Sequence, residues 1–444
     1  MKKNVCKSTV ALAMAATMGL SLAACGNSQS QSAAPQSNGT AATADAPASA
    51  AGEKTTVTFS FDQGVGTPTQ TIVDKFNASQ DAITVKTVLL PQDANAVHDD
   101  FVNKLASGDT SVDVMGLDVV YVAEFASAGW LAPLDSYFDA GVTDTMIQGA
   151  VDAGTYDGKL VAMPWFTNSS AMFYRQDVVD ALGAEVPTTY TDWMALADKA
   201  IGTEGVEYGA DFQAAQSEAL VCNWCEFVWA NGGDILDANG KPVANSANNI
   251  EATKIMKQLV DDYAAEGVTT YTETESEQLF KEGKALYLRD WSGFWTTGQD
   301  ESSKVAGKIG AASLPVGPSG TEAHSCLGGL DLVVNNNISD TQKQAAAEFI
   351  KYMIDEATQK EMTLISSQPP VVKSVYQDAD ILEAIPFYAD FYDIIQNGKS
   401  RPQSPQYAKL SDAIQRNVHQ ALTGEATVED ALNTLQSELE ALAA

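Results

Sequence analysis

Histidine and cysteine are scarce, with three and five copies in 444 residues. That leaves little from which to build a metal centre. Positive charge is short too: 26 Lys and Arg stand against 58 Asp and Glu, for a net charge of −32. A charge of that sign repels phosphate backbones and argues against a nucleic-acid partner. Beyond the N-terminus no window holds the roughly eighteen apolar residues that a membrane span needs. Aromatic residues make up 8% of the chain, an ordinary share, so an aromatic-rich site has to show itself by clustering. What is present is a 45% hydrophobic content, enough for a sizeable core, which excludes wholesale disorder. The length suits two large lobes better than one core.

The N-terminus reads as an address. Lys2, Lys3 and Lys7 precede an apolar, Ala-rich stretch from Ser8 to Leu22, too short to span a bilayer. It runs into Leu22-Ala23-Ala24-Cys25-Gly26. Small residues there let a peptidase groove close on extended backbone, and the thiol is a nucleophile for acylation. The run resembles the lipobox of bacterial lipoproteins. That resemblance implies a signal peptide over 1–24, a mature chain beginning at Cys25, and a diacylglyceryl anchor on the extracytoplasmic face of the cell membrane. Two acyl chains anchor stably where one does not. Asn27 to Gly52 carries one charge, Asp45, and no aromatic residue. Residues 25–54 are therefore expected to be a disordered tether, reaching about 30 Å on average.

Thr55 to Asp62 alternates like a strand, Thr69 to Ser79 has helical spacing, and Ile83 to Leu90 is a second strand. Asp93 to Ala106 forms an amphipathic helix, Val112 to Leu117 a short buried strand, and Val119 to Ala128 a helix. This alternation predicts a largely parallel sheet with helical crossovers. Further helices are expected at Tyr190–Ile201, Gln216–Trp229, Ile250–Glu266, Glu275–Gly283, Thr341–Asp355, Ala357–Ile365, Ala379–Gln396, Ser404–Leu422 and Thr427–Leu442, and a strand at Leu330–Asn335. Three Pro- or Gly-punctuated strips, Ala162–Tyr174, Leu314–Leu330 and Ser366–Lys373, look like places where the chain changes lobe.

Several runs resemble the extracellular solute-binding proteins of sugar ABC importers. They are Val114-Met115-Gly116-Leu117-Asp118 with Ala128-Gly129-Trp130-Leu131-Ala132-Pro133-Leu134, and Tyr156-Asp157-Gly158-Lys159-Leu160 through Pro164-Trp165 to Tyr174-Arg175. Trp229-Ala230-Asn231-Gly232-Gly233, Arg289-Asp290-Trp291 and Arg401-Pro402 continue the likeness. Within that family the chain is most similar to the trehalose/maltose-binding branch. The resemblance implies an α/β, two-lobed periplasmic-binding-protein-like fold of type II. Each lobe would be a mostly parallel sheet flanked by helices, and crossing segments would form a hinge. The N-terminal lobe is expected to comprise 55–164 and 326–368, the C-terminal lobe 165–325 and 369–444. The implied partners are an oligosaccharide and the permease subunits of an importer, with no cofactor and with a monomeric state.

Sugar recognition needs polar groups for hydroxyls and flat aromatic faces for the apolar faces of pyranose rings. Asp118 follows a buried strand, where α/β sheets usually bind ligands, and matches a family Asp that binds hydroxyls. Trp165 and Asn168 lie on the first crossing strip, where the branch usually carries an acid at the position of Asn168. Trp224 lies on a helix with Val221 and Val228. Trp291 matches the stacking position of the family, and Trp295 shares its face if the segment is helical. Asp290 stands where the branch usually has Asn. Gly328-Gly329 permits close backbone approach, and Leu330 replaces the Trp of the branch, which implies a wider cleft. Arg401 matches a basic position, and His98 lies where the branch places polar residues at the cleft edge.

Cys222-x-x-Cys225 sits in mid-helix without a second ligand pair, so it reads as core thiols or a local disulfide rather than as zinc or a redox site. With Cys326 the thiols other than Cys25 in the mature chain are odd in number, which excludes a fully paired framework. The rival classes are a secreted glycosidase working through two carboxylates, and a binder of a non-sugar solute.

Overall fold

The computed structural model describes residues 54–443. The expected signal peptide, Cys25 and the tether up to residue 53 lie outside the described residues. The chain opens with alternating strands and helices: β1 (Thr55–Asp62), α1 (Gly66–Ser79), β2 (Ile83–Leu90), α2 (Ala94–Ala106), β3 (Val114–Asp118) and α3 (Val122–Ser127). Next come α4 (Gln148–Ala153), the small hairpin β4 (Thr155–Tyr156) and β5 (Lys159–Leu160), and the long β6 (Met163–Arg175). The middle of the chain forms α5 (Gln176–Ala181), α6 (Tyr190–Ala200), α7 (Glu218–Ala230), α8 (Ala247–Asp262), α9 (Glu273–Lys281), β7 (Tyr287–Trp291), α10 (Phe294–Gly298) and β8 (Ile309–Ala312). The last part holds β9 (Cys326–Val334), α11 (Asp340–Met353), α12 (Glu356–Ser366), α13 (Ala379–Ala384), α14 (Tyr388–Gln396), β10 (Lys399–Ser400), α15 (Tyr407–Thr423) and α16 (Val428–Ala443).

One eight-stranded sheet has the order β2-β1-β3-β9-β6-β7, with β10 added to β9 and β8 to β6. β1 runs parallel to β2 and β3, and β10 runs parallel to β9. The pairings β3–β9, β9–β6, β6–β7 and β6–β8 are antiparallel. The expected mostly parallel sheet in each lobe is therefore a mixed one. Parallel neighbours need a helical crossover, and β1-α1-β2-α2-β3 supplies it. β6 and β9 instead run past each other as extended connections.

β6 fixes the layout. Its first half, Met163 to Ser169, pairs with β9, and its second half, from Ser170, pairs with β7 and β8. The strip expected to cross between lobes is thus one continuous strand, buried at every position but Asn168. Its pairing with β9 slips between Pro164 and Phe166, next to a residue that has no N–H to give the ladder. On β9, Gly329 has φ +121°, and a Cβ there would lie 2.3 Å from the carbonyl oxygen of Phe166. Only glycine lets the two strands meet at this point.

Successive strand residues feed two cores on opposite faces of the sheet. Val57, Phe59, Phe61, Val114, Phe173 and Leu332 belong to one, and Met115, Leu117, Met172, Tyr174 and Val333 to the other. The single helix expected over 379–396 is two, α13 and α14. Pro386 falls between them, where its ring and missing N–H cannot continue a helical ladder.

Asp331 breaks the apolar pattern of β9. It is 1% exposed, and its Oδ2 has no hydrogen-bond partner. Burial, reinforced by the charge of Asp118, pushes its carboxyl well above the ordinary range. A carboxyl raised in the folded state binds its proton more tightly there than in the unfolded chain. Folding is then favoured below the unfolded pKa and progressively disfavoured as pH rises above it. Asp331→Asn should stabilise the protein at pH 7.5 by about 1–3 kcal/mol, a gain that shrinks towards pH 4. Thermal melts of both proteins across that range check the expectation.

Candidate ligand-binding cleft

The C-terminal ends of β1 and β3, the middle of β6 and β9, and the N-termini of α7 and α9 surround a cavity of about 640 Å³. Asp62 and Asp118 end their strands and face it. The Asp118 Oδ1 also accepts the Val120 N–H at 3.1 Å, so the carboxylate caps the turn that follows and stays oriented. Asp62 does the same for Gly64 at 2.7 Å. Its carboxyl is raised, mainly by burial, against the pull of that N–H and with the help of Asp118.

The opposite wall is organised by two carboxylates on α7. Glu226 receives the Arg289 guanidinium in a fork, Nε to Oε2 at 2.7 Å and Nη2 to Oε1 at 2.5 Å. The Ser170 hydroxyl and the Cys326 N–H also donate to Glu226, at 2.6 and 2.9 Å. Arg289 in turn lies over the Trp291 ring, 4.4 Å from its centroid. The indole Nε1 donates to Glu273 at 3.3 Å, so the ring is fixed at both its face and its edge. Glu218, two turns before Glu226, accepts from Arg401 Nη1 at 2.5 Å and from the Tyr407 and Ser411 hydroxyls. Arg401 Nη2 reaches Asp118 at 3.4 Å, linking β3 to this wall. Gly328 packs beside both: a Cβ there would lie 3.5 Å from Trp291 and 3.8 Å from Arg401.

Of the residues singled out in the sequence, the cleft gathers Asp118, Asn168, Trp291, Gly328, Gly329, Leu330 and Arg401. Asn168 accepts from Ser292 at 2.9 Å. Three others are elsewhere. Trp165 is fully buried, packed edge-on against Phe59, Phe61 and Phe166. Trp224 is fully buried, its Nε1 donating to Thr253 at 2.9 Å. His98 is held at 3.2 Å from both Asp99 and Glu124 and lies against Tyr121 with ring centroids 4.4 Å apart. None of the three lines the cavity, unlike the seven residues above. Trp291 and Trp295 share no helical face, because Trp291 ends β7 while Trp295 belongs to α10 and packs on Phe387. Cys222, Cys225 and Cys326 are buried free thiols, with Cys222 at the edge of the cleft.

Sequence reasoning missed Asp62, Glu218, Glu226, Glu273, Glu277 and Gln368. A signal existed for two of them: Glu218 and Glu226 are the acids of an otherwise apolar helix, and buried carboxylates need cationic partners.

Residues 62–360 match the family of bacterial extracellular solute-binding proteins. The chain belongs to this family. It is 32% identical over 365 residues to a probable ABC transporter-binding protein of Deinococcus radiodurans, covering 80% of this chain and 86% of that one. Among solved structures, maltose-bound MalE3 of T. maritima is similar with 33% identity and a TM-score of 0.84, covering 87% of this chain and all of the other. A solute-binding protein of Agrobacterium radiobacter K84 in complex with ribitol is 25% identical, with a TM-score of 0.80 and coverage of 87% and 98%. The fold is thus the two-lobed α/β fold of these binding proteins, and relatives and neighbours alike are binding proteins rather than enzymes.

Removing Glu226 would leave the Arg289 guanidinium buried without its counter-charge. Glu226→Ala should destabilise the protein by about 3–5 kcal/mol. Urea unfolding is the check, and a midpoint within error of the parent would contradict the pairing.

Proposed function

We propose that this protein captures an oligosaccharide in the cleft and delivers it to the permease of an ABC importer, without chemical turnover. The observation that carries the reading is Trp291. Arg289 and Glu273 hold this indole beside carboxylate, amide and guanidinium groups, the pairing of flat apolar face and directional polar groups that a pyranose requires. The maltose in the T. maritima relative agrees with it. Asp118, Asn168 and Arg401 would bind hydroxyls, Trp291 would stack, and Gly328 and Gly329 would admit a ring close to the backbone. Leu330, half-buried beside Asp118 and Phe166, leaves that wall without an aromatic face. The ligand is accordingly bulkier or more branched than a simple disaccharide.

The mechanism is a two-state closure of 55–164 with 326–368 against 165–325 with 369–444. Ligand favours the closed form because only there does it touch both walls. The chain acts as a monomer. A diacylglyceryl group on Cys25 holds it at the outer face of the cell membrane, with residues 25–54 as the tether.

Thermal-shift screening against a glycan and polyol panel, with chromatography of the incubated glycans, tests the function. Stabilisation by an oligosaccharide with no new product is expected, and product release would replace binding by hydrolysis. Trp291→Ala should weaken the identified ligand by about 1–3 kcal/mol in calorimetry. Unchanged affinity in a folded variant would remove the ring from the site. Cys25→Ser should move the protein from the membrane fraction to the medium; retention through salt and alkali washes would contradict the anchor.

A further inference from the structure

One end of the cleft is rich in acceptors. Asp290 is 1% exposed and lines the cavity; its Oδ1 accepts the Trp291 N–H at 2.7 Å, while its Oδ2 has no partner. Gln368 lines the same cavity, and its Oε1 is likewise buried and unpartnered. Its amide nitrogen lies 3.4 Å from where a Cβ on Gly293 would be, which puts Gln368 beside the turn that follows β7. Glu273 and Glu277, one turn apart on α9, complete the wall. Each has one carboxylate oxygen engaged, by the Trp291 Nε1 and by the Thr297 hydroxyl at 3.1 Å.

Acids outnumber cations there: Asp290, Glu273 and Glu277 face Lys281, one turn after Glu277, and the Arg289 guanidinium, which pulls Asp290 down. Burial, then the charges of Glu277 and Glu273, raise the Asp290 carboxyl well above its ordinary range. Glu277 is raised by burial even though Lys281 pulls it down. Arg401, the other cation at the cleft, is already engaged by Glu218 and Asp118. Among the described residues no three acids approach closely enough to share a metal ion. A sugar hydroxyl could fill one acceptor, but it would bring lone pairs of its own and no charge. An ammonium brings three donors, no acceptor and a further positive charge to a wall where acids outnumber cations.

We propose that the oligosaccharide carries a protonated amine, as a hexosamine unit does, and that Asp290, Gln368, Glu273 and Glu277 form the subsite that takes it. The inference rests on the reading of the cleft as a glycan site.

Calorimetry in 150 mM salt tests it, with β-1,4-linked glucosamine oligomers, their N-acetylated counterparts and glucose oligomers of the same linkage and length. The amine-bearing oligomers should bind at least about 10-fold tighter than both others, and Asp290→Asn and Glu277→Gln should each narrow that gap to below about 3-fold. Equal or tighter binding of the neutral oligomers would overturn the amine subsite and leave carbohydrate binding standing. Binding of none of these, and of nothing in the wider glycan panel, would overturn both. Spermidine binding as tightly as the glucosamine oligomers would overturn the glycoside half of the proposal. An undiminished amine preference in both variants, folded by circular dichroism, would overturn the assignment to these residues.

Discussion

Two carboxylates on one buried helix hold the cleft together. Glu226 and Glu218 on α7 are 2% and 6% exposed, and each binds a guanidinium that is itself buried. Through Arg289, Glu226 orients Trp291 and ties α7 to β6, β7 and the start of β9. Glu218 ties α7 to α15 directly, through the Tyr407 and Ser411 hydroxyls, and to Asp118 through Arg401. Hydrophobic burial makes the sheet and its two cores, but it has no means of setting a ring or a carboxylate to within hydrogen-bond tolerance. Charge pairs in a dry interior do so, because the penalty for misplacing either partner is large.

This division of labour explains how the cleft serves capture and release. The Asp118–Arg401 contact, at 3.4 Å, is the long arm of the network, while the Glu218–Arg401 and Glu226–Arg289 arms are tight and sealed. In the proposed closure the weak link is the contact that would break and re-form, while the Glu226–Arg289 pair keeps its hold on Trp291. Asp118 and Glu218 share Arg401, whereas burial raises the carboxyls of Asp290 and Glu277 above their ordinary range.

Much of the fold was legible in the sequence. β2 spans the expected Ile83–Leu90, and α2 begins one residue after the Asp93 cap, because alternation, helical spacing and capping are local signals. Sheet polarity was not legible, since β6 and the first half of β9 read as crossing strips, and the strand expected from Leu330 says nothing of its direction until its partners are known. The site divides along the same line. Asp118, Trp291, Gly328, Gly329 and Arg401, expected from likeness to a family pattern, line the cleft. Trp165 and Trp224 are buried away from it, because a tryptophan in an apolar run has the same local signature in a core as in a wall. Glu273, Glu277 and Gln368 went unseen because they share one cavity with Asp290 only once α9, β7 and the segment after α12 meet in space.

A crystal structure of the protein grown with its best-binding oligosaccharide tests the account most directly. A sugar ring should lie on Trp291, with hydroxyls bonded to Asp118, Asn168 and Arg401, and with Glu226 still clasping Arg289. A ligand seated outside this cleft, or inside it with Trp291 bare and the guanidiniums displaced, would contradict it.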